Sequence, residues 1–226
     1  MAKKAAPTDT AVAAVKQRGA ERTMLDILTV ATEEFANYGL SGARVDAIAE
    51  RTQTSKRMIY YYFGGKDGLY RAVLEHAFRS IRSHEAQTGV AELPPLEGLR
   101  KLVEFTFDYE ETHPYFIRLV AVENINYAEH LAKLPSIREI NASAIETLDG
   151  VLQRGRAAGI FRPGIAAFDL HLLITSFCFF RISNKYSVNT IFGRDIAEAK
   201  VRNKHKRLIL ETVERLVLVR PETAGS

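Results

Sequence analysis

Hydrophobic residues recur at intervals of three and four along most of the chain, the spacing that places side chains on one face of an α-helix. This pattern predicts a first helix at about 22–37 that ends at Tyr38-Gly39, followed by short helices at about 44–52 and 55–63. Strand signals are scarce, and no internal repeat is present. The sequence therefore predicts an all-α fold.

Further helices are predicted in the rest of the chain, at about 66–78, 96–112, 114–124, 135–158, 168–186 and 199–219. The last two are apolar on two sides, and a helix of that kind must be covered on both. We expect these two helices to form a four-helix interface with a second copy of the chain. The alternative is a single domain thick enough to cover both helices internally.

The helices at about 44–52 and 55–63 are separated by Gln53 and Thr54, a connection too short for anything but a sharp turn. Ser55 is a suitable N-cap for the later helix, because its hydroxyl can accept a hydrogen bond from a free backbone N–H of the first turn. Two short helices joined in this way match a helix-turn-helix, whose second helix enters the major groove of DNA.

The helix at 55–63 has two chemically different faces. Ile59 and Phe63 share an apolar face, whereas Arg57, Met58 and Tyr61 fall on roughly the opposite face. Cationic side chains can neutralise phosphates, and tyrosines can donate hydrogen bonds to phosphate oxygens or stack. The residues of these two types are Lys56, Arg57, Lys66, Tyr60, Tyr61 and Tyr62. This pattern fits a DNA-reading helix, and it also fits an ordinary helical hairpin with a solvated basic face.

The stretch from about Met24 to Leu74 resembles the DNA-binding domain of the TetR family of ligand-responsive transcriptional regulators. The matching residues, in the family's order and spacing, are Phe35, Gly39, Val45, Ile48, Ala49, Ser55, Ile59, Tyr60, Tyr62, Phe63, Lys66 and Leu69. The 114–124 region and the Gly-Ile-Phe-Arg-Pro-Gly stretch at 159–164 also resemble the family's effector domain, although less specifically.

Two departures from the family's pattern matter. Gln53 and Thr54 stand where the family usually has Gly-Val in the turn. Arg44 stands where the family often has a Thr that caps the first helix of the motif and touches phosphate. Arg44 can still bind phosphate as a cation, but it cannot cap. We therefore expect the cap to come from Ser41 or Gly42.

The resemblance implies a homodimeric regulator, acting as a repressor, that binds a near-palindromic operator in double-stranded DNA and releases it when a small-molecule effector binds. Arg57, Met58 and Tyr61 would face base edges, with Lys56 at the rim and Ser55 capping the reading helix. Phosphates would be held by Arg44, Tyr60, Tyr62 and Lys66. Asp46 would accept a hydrogen bond from a cytosine amino group, or it would pair with a nearby cation.

The predicted domain organisation has four parts. Residues 1–20 form a flexible basic arm, 21–66 the helix-turn-helix domain, 67–220 a helical ligand-binding and dimerisation domain, and 221–226 a tail. Cations of the arm could enter a neighbouring minor groove, and a solubilising tail is the alternative. These cations are Lys3, Lys4, Lys16 and Arg18.

An effector pocket is expected to be mainly apolar with a few polar anchors. The candidate lining residues and anchors are Tyr109, Phe116, Arg118, Asn124, Tyr127, Phe168, His171, Phe177 and Arg181. His171 and Arg181 lie within the most apolar predicted helix, where an unpartnered polar group is costly, so each needs a ligand or an internal partner. If the partner is a ligand, two arginines and an aromatic lining favour a small planar acid or heterocycle.

Composition restricts the remaining possibilities only mildly. The net charge is +4, and from Met1 to Lys66 ten Lys and Arg stand against seven Asp and Glu, which permits nucleic-acid binding without demonstrating it. The single cysteine, Cys178, excludes an intrachain disulfide and suits a reducing compartment. The sequence shows neither a membrane span nor a signal peptide, so we expect a cytoplasmic protein.

No catalytic motif supports an enzyme. P-loop, dinucleotide-binding, nucleophile-elbow and zinc-protease patterns are absent, and the six histidines show no ligand spacing, so neither a metal nor a cofactor is expected. The acid pairs Glu33-Glu34 and Glu110-Glu111 are interpreted as solvated helix faces. The alternative function is a helical protein-binding or scaffold module that uses the basic aromatic face on an acidic protein.

Overall fold

The computed structural model describes the backbone of residues 9–219 and the side chains of residues 17–219. Within this range the chain is built from α-helices and two short 3-10 helices, with an isolated antiparallel bridge between Phe161 and Leu218. The predicted all-α fold is confirmed. In the described part, no helix is long and apolar enough to span a membrane.

The helices are numbered in chain order. They are α1 Asp9–Gly42, α2 Val45–Arg51, α3 Lys56–Phe63, α4 Lys66–Ala86, α5 Pro95–Thr112, α6 Pro114–Ile125, α7 Ile137–Ala157, α8 Ala167–Ser183, α9 Lys185–Phe192 and α10 Ala199–Val217. The 3-10 helices are Val90–Glu92 and Leu131–Lys133.

The chain divides into two compact units, Met1–His76 and Ala77–Ser226. The boundary falls inside α4, further along the chain than the boundary after Lys66 that the sequence suggests. Because α4 is one continuous helix, it carries residues of both units.

Helix α1 begins well before the predicted start of the first helix. Its backbone is helical from Asp9, whereas the sequence predicts no helix before about residue 22, and the flexible arm over 1–20 stays a prediction. The alanines of this stretch favour a helix, and they outweigh its lack of large apolar residues. The predicted stop is confirmed, because Gly39 has φ 65 and breaks the regular helix there. Lys3 and Lys4 lie outside the described residues.

The core of the Met1–His76 unit is formed by apolar side chains from α1, α2, α3 and the start of α4. Ile27, Phe35, Ile48, Ile59 and Tyr70 are fully buried. The rings of Phe35 and Tyr70 meet edge to face, with their centroids 5.0 Å apart. Burial of each such side chain stabilises the unit by about 1.5–3 kcal/mol, so α3 is held by its apolar back.

The core of the Ala77–Ser226 unit lies among α5, α7, α8 and α10. Its buried members include Leu99, Val103, Phe107, Val151, Leu152, Leu170, Ile174, Ile209, Val213 and Val217. Two predicted boundaries differ here. The helix predicted at 168–186 ends at Ser183 and is followed by the separate short helix α9, and the helix predicted from Pro135 begins at Ile137.

Candidate functional site

Helix α3 begins and ends at residues with clear local causes. The Ser55 hydroxyl accepts a hydrogen bond from the backbone N–H of Met58 at 3.2 Å, so the predicted N-cap is confirmed. Gly64 ends the helix with φ 75, a left-handed conformation that glycine adopts without steric cost. In the turn before α3, Gln53 has φ 51 at the position where the family usually has glycine.

The start of α2 is secured by a residue that the sequence did not single out. The N-cap position is Arg44, which makes no side-chain capping bond, so the expected cap from Ser41 or Gly42 is wrong. Instead, the backbone N–H of Arg44 donates to the carboxylate of Glu34 at 2.9 Å. Glu34 is buried, whereas its neighbour Glu33 pairs with Arg51 across 2.5 Å. The interpretation of Glu34 as a solvated residue is therefore wrong.

The two faces of α3 are arranged as predicted. Ile59 is fully buried, whereas Arg57, Met58 and Tyr61 are exposed, and 79% of Tyr61 is accessible to solvent. A phenol and a guanidinium held on one short, capped helix can hydrogen-bond both base edges and phosphates. The burial pattern is confirmed, and the contacts with DNA stay a prediction.

The residues expected to hold phosphates flank this face. Tyr60 is exposed, Tyr62 is half-buried, and the rings of Tyr61 and Tyr62 meet edge to face at 5.5 Å between centroids. The ammonium of Lys66, in the first turn of α4, donates to the backbone carbonyl of Ser41 at 3.2 Å. The Arg44 side chain is exposed. All of these groups lie in the Met1–His76 unit.

The Ala77–Ser226 unit contains a cavity of about 360 Å³ between α4, α5, α6, α7 and α8. Three of the predicted effector residues line it, namely Phe116, Asn124 and His171. Burial lowers the pKa of His171, and the nearby positive charge of Arg82 lowers it further, so His171 is neutral near pH 7.

A second cavity of about 740 Å³ lies between α8, α9 and α10, and Phe177 and Arg181 line it. Arg181 is 4% exposed and has internal partners. Its guanidinium donates to the Glu111 carboxylate at 2.8 Å and to the Ile196 carbonyl at 2.8 Å, and it lies 4.5 Å from the centre of the Phe107 ring. Of the two partners considered for Arg181, the structure supplies the internal one.

The remaining predicted effector residues line neither of these cavities. Tyr109 is buried, donates its hydroxyl to Ser80 at 3.2 Å, and stacks on the His113 ring at 3.8 Å. Arg118 is exposed, Phe168 is 61% exposed, and Tyr127 is 96% exposed. The two arginines that suggested an acidic ligand are therefore absent from the smaller cavity.

The sequence missed two charged residues that line the smaller cavity, Arg82 and Glu110. Glu110 is buried, which corrects its interpretation as part of a solvated face. Burial raises the pKa of Glu110 to about 8, and the positive charge of Arg82 opposes that rise. Arg82 itself pairs with Glu85, one turn further along α4. Helical periodicity did not indicate that Glu110 is buried, because adjacent glutamates are common on solvated helix faces.

Comparison with known proteins identifies the family. Residues 27–73 match the family described as "Bacterial regulatory proteins, tetR family", and residues 95–213 match "Tetracyclin repressor-like, C-terminal domain". The chain belongs to the TetR family. Its DNA-binding match contains all of α2 and α3, and its C-terminal match contains α5 to α9 in full.

Individual relatives agree with this assignment. The TetR-family chain is 34% identical to the HTH-type transcriptional repressor NicS of Pseudomonas putida over 188 residues, which cover 83% of this chain and 89% of NicS. It is 30% identical to the repressor SCO4008 of Streptomyces coelicolor over 159 residues, covering 70% and 78% of the two chains. The solved structure of the transcriptional regulator SCO4942 of Streptomyces coelicolor is similar, with a TM-score of 0.64, 25% identity, and coverage of 88% and 99%.

Membership of this family decides the functional class. The protein is a DNA-binding transcriptional regulator of the TetR family and not an enzyme, and the relatives NicS and SCO4008 are repressors. Among the described residues, no group of three or more His, Cys, Asp or Glu side chains could hold a metal ion.

Proposed function

We propose that this TetR-family protein is a homodimeric repressor that binds a near-palindromic operator through α3 and releases it when a small molecule binds in the Ala77–Ser226 unit. The observation that carries the proposal is the geometry of α3. Its apolar back is fixed by the buried Ile59, and its exposed face presents Arg57, Met58 and Tyr61 together. A capped helix of this kind can enter a major groove without further ordering.

Contacts with DNA divide by chemistry. Arg57, Met58 and Tyr61 read base edges, whereas the groups around them hold phosphates and so fix the position of α3 in the groove. The phosphate-holding groups are Arg44, Tyr60, Tyr62 and Lys66, with Lys56 at the rim of the face. Lys66 is well placed because the N-terminus of α4 adds the partial positive charge of the helix dipole to its own charge.

Dimerisation is supported by apolar side chains that α8, α9 and α10 leave uncovered. They are Phe168, Leu172, Phe180, Tyr186, Ile191, Phe192 and Leu208, all exposed in the single chain. Exposed apolar residues grouped on neighbouring helices mark an interaction site. A second copy would cover them and would present two α3 helices about 34–36 Å apart, or a multiple of that distance, to successive major grooves.

Effector release is supported by the continuity of α4. Phe78, Ile81 and Arg82 of this helix line the smaller cavity, and the same helix begins at Lys66. A ligand that binds more tightly when α4 is in one position increases the fraction of protein molecules in which α4 has that position. The shift can be no larger than the difference in the ligand's affinity for the two arrangements.

Selection of bound sequences from a random pool of DNA duplexes tests the DNA-binding proposal. We expect one near-palindromic site to be enriched and its binding to weaken steeply as salt rises, because several phosphates are neutralised. Arg57→Ala and Tyr61→Ala should each weaken binding to the selected site by about tenfold or more, the usual effect of losing a base contact. Tyr127→Ala is the matched control, because it removes another highly exposed tyrosine, which lies in the other unit.

Two outcomes would overturn the proposal. One is no enrichment of any sequence at low ionic strength, which would leave the basic aromatic face of α3 to an acidic protein partner. The other is equal affinity for DNA in Arg57→Ala, Tyr61→Ala and Tyr127→Ala.

A further inference from the structure

The smaller cavity of the Ala77–Ser226 unit has aromatic walls. Phe78 and Phe116 meet edge to face at 5.3 Å between centroids, and Phe179 lines the cavity as well. Its volume of about 360 Å³ exceeds the roughly 150 Å³ that suffices to bind benzene in a protein core, so one or two fused rings fit. Flat aromatic walls favour a planar ligand, whose ring can stack on one wall and meet another edge to face.

Two residues that line this cavity have buried polar atoms without a hydrogen-bond partner. They are Arg82, at Nε and at Nη1, the latter at ion-pair distance from Glu85, and Glu110, which is the acceptor of the two. Glu110 is 4% exposed, and within the described part of the chain no hydrogen bond or ion pair reaches its carboxyl group. Its Oε2 is completely buried without a partner. A buried polar group in this condition destabilises the protein, and a buried charge does so more strongly. The carboxyl group therefore lacks a hydrogen-bond donor.

The charges around Glu110 do not supply that donor. Arg82 on α4 is the nearest cation, but it pairs with Glu85 on the same helix. The other titratable groups near the carboxyl are His171 and Cys178 on α8, and both are neutral because burial lowers the pKa of the histidine and raises the pKa of the thiol. Above about pH 8, where Glu110 is ionised, this region of the cavity carries one negative charge, because Arg82 and Glu85 balance each other.

We propose that the effector of this protein is a small planar aromatic cation, an amidine or a protonated nitrogen base, whose N–H groups donate to the Glu110 carboxylate between the phenylalanine walls. This inference rests on the proposed function, because only a ligand that releases the operator is an effector. The cation supplies both things that Glu110 lacks, a donor and an opposite charge. The aromatic walls add cation–π attraction to the same ligand.

An acidic ligand, which the sequence favours, does not fit these surroundings. A carboxylate would lie beside Glu110 and would face one arginine, Arg82, whose positive charge is already balanced by Glu85. Arg118 is exposed, and Arg181 is occupied by Glu111, so neither adds positive charge here. The structure thus replaces the two expected arginines with an arginine–glutamate pair and one unpaired glutamate.

Three probe molecules of nearly equal shape distinguish a cationic ligand from a neutral or an anionic one. Benzamidine, benzamide and benzoate share a planar phenyl ring with a three-atom head group, and they carry a positive charge, no charge and a negative charge respectively. Binding of each to the full-length protein is measured by titration calorimetry without DNA, above pH 8, where Glu110 is ionised. We expect benzamidine to bind about tenfold or more tightly than benzoate, with benzamide between them, because a charge-assisted hydrogen bond is stronger than a neutral one.

Glu110→Gln tests the assigned residue, because the amide keeps the shape of the side chain and removes its charge. This variant should lose the preference for benzamidine over benzamide, whereas Glu146→Gln should keep it. Glu146 is the matched control, since it is an exposed glutamate in the middle of α7. Circular dichroism of both variants checks that they fold as the wild type does.

Tighter binding of benzoate, equal binding of the three probes, or no binding of any of them would overturn the inference. A preference for benzamidine that survives in Glu110→Gln would also overturn it. Because DNA is absent from this experiment, its result is separate from that of the duplex selection. Failure to select an operator would remove the proposed function and leave the ligand assignment standing.

Discussion

The carboxylate of Asp46 on α2 lies 3.1 Å from the ammonium of Lys56 in the first turn of α3. Both side chains are exposed, and a surface ion pair of this kind stabilises a protein by about 0–1 kcal/mol. The contribution of the pair to stability is therefore small. Its larger effect is electrostatic, because it places a negative charge on the face that we propose contacts DNA and neutralises Lys56 at the rim of that face.

Asp46→Asn should strengthen binding to random duplex DNA. The substitution releases Lys56 for a phosphate and removes repulsion, so we expect affinity to rise by about threefold to tenfold at low salt and the slope against salt to steepen by about one ion. Fluorescence anisotropy across a salt series measures both quantities. Glu146→Gln, which removes a negative charge from the other unit, should leave both unchanged.

The opposite result would assign Asp46 a different role. If Asp46→Asn weakens binding to the selected operator alone, and a change of one G·C base pair restores the affinity, then the carboxylate reads a cytosine. The ion pair with Lys56 would then break on DNA binding.

Gly68, in the first turn of α4, lies against the end of α3. A Cβ atom at this position would lie 1.8 Å from the backbone carbonyl oxygen of Phe63, so one of the two helices must move if a side chain is added. Gly68→Ala should reduce the free energy of unfolding by about 1–3 kcal/mol. It should also weaken operator binding more than global unfolding explains, because the displaced carbonyl belongs to α3, the helix that we propose enters the major groove.

Gly19→Ala is the matched control for this prediction. A Cβ atom at Gly19, inside α1, meets nothing within 4 Å. Alanine in an exposed helix is more stable than glycine by about 0.5–1 kcal/mol, so this variant should be unchanged or slightly more stable. Denaturant unfolding and anisotropy on the selected operator measure the two effects. Equal stability of Gly68→Ala and the wild type would show that α3 and α4 separate without cost.

The DNA-binding unit could be predicted from the sequence because its determinants are local. The cap at Ser55, the buried Ile59 and the exposed Tyr61 follow from residue type and from the geometry of one short helix. The start of α2 could not be predicted in the same way. It depends on Glu34, a residue of α1 that reaches the backbone of Arg44 only after the helices pack.

The cavity could not be predicted, because it depends on which helices meet in three dimensions. Arg82 and Glu110 lie on different helices, and nothing along the chain indicates that both turn toward one space. Arg118 and Arg181 show the reverse error. Both were plausible anchors by type, but the first is exposed and the second is held by Glu111. Helix periodicity predicts burial well, whereas it does not predict partners.

The proposed dimer interface can be tested at Phe180 on α8, which is 55% exposed in the single chain. Phe180→Glu should weaken dimerisation by about a hundredfold or more, because a carboxylate buried without a partner costs several kcal/mol. Sedimentation velocity measures the fraction of dimer. Binding to the operator with two half-sites should weaken as that fraction falls. Ile125→Glu, at an exposed apolar residue of α6, is the control and should stay dimeric. A Phe180→Glu variant that remains dimeric would show that the exposed face around Phe180 is not the dimer interface.

The ion pair between Arg181 and Glu111 should contribute strongly to folding. Arg181→Met keeps much of the side-chain volume but leaves the mostly buried Glu111 carboxylate unpaired, and breaking such a pair costs about 3–5 kcal/mol. Arg215→Met removes an arginine that is 83% exposed and 4.0 Å from Glu211, and it should change stability by less than about 1 kcal/mol. Denaturant unfolding at one fixed protein concentration compares them. An equal loss of unfolding free energy in the two variants would mean that water solvates Glu111 when Arg181 is absent.

Glu110 should make the stability of the empty protein fall as pH rises. Its pKa is about 8 in the folded protein against 4.5 for an ordinary glutamate, so the folded state holds a proton that the unfolded state loses. Stability from this group is thus fully present below about pH 4.5 and is lost as pH rises through about 8. Since each pKa unit corresponds to about 1.4 kcal/mol, the total loss is on the order of a few kcal/mol.

Glu110→Gln should abolish this loss, because an amide does not titrate. Below about pH 5 the variant and the wild type should have similar melting temperatures, and above about pH 8 the variant should melt at the higher temperature. Glu146→Gln, at an exposed position, should follow the wild type throughout. Melting curves at fixed protein concentration across this range provide the measurement. A Glu110→Gln variant that tracks the wild type at every pH would mean that Glu110 is ionised in both states, and so that the folded protein already supplies it with a donor.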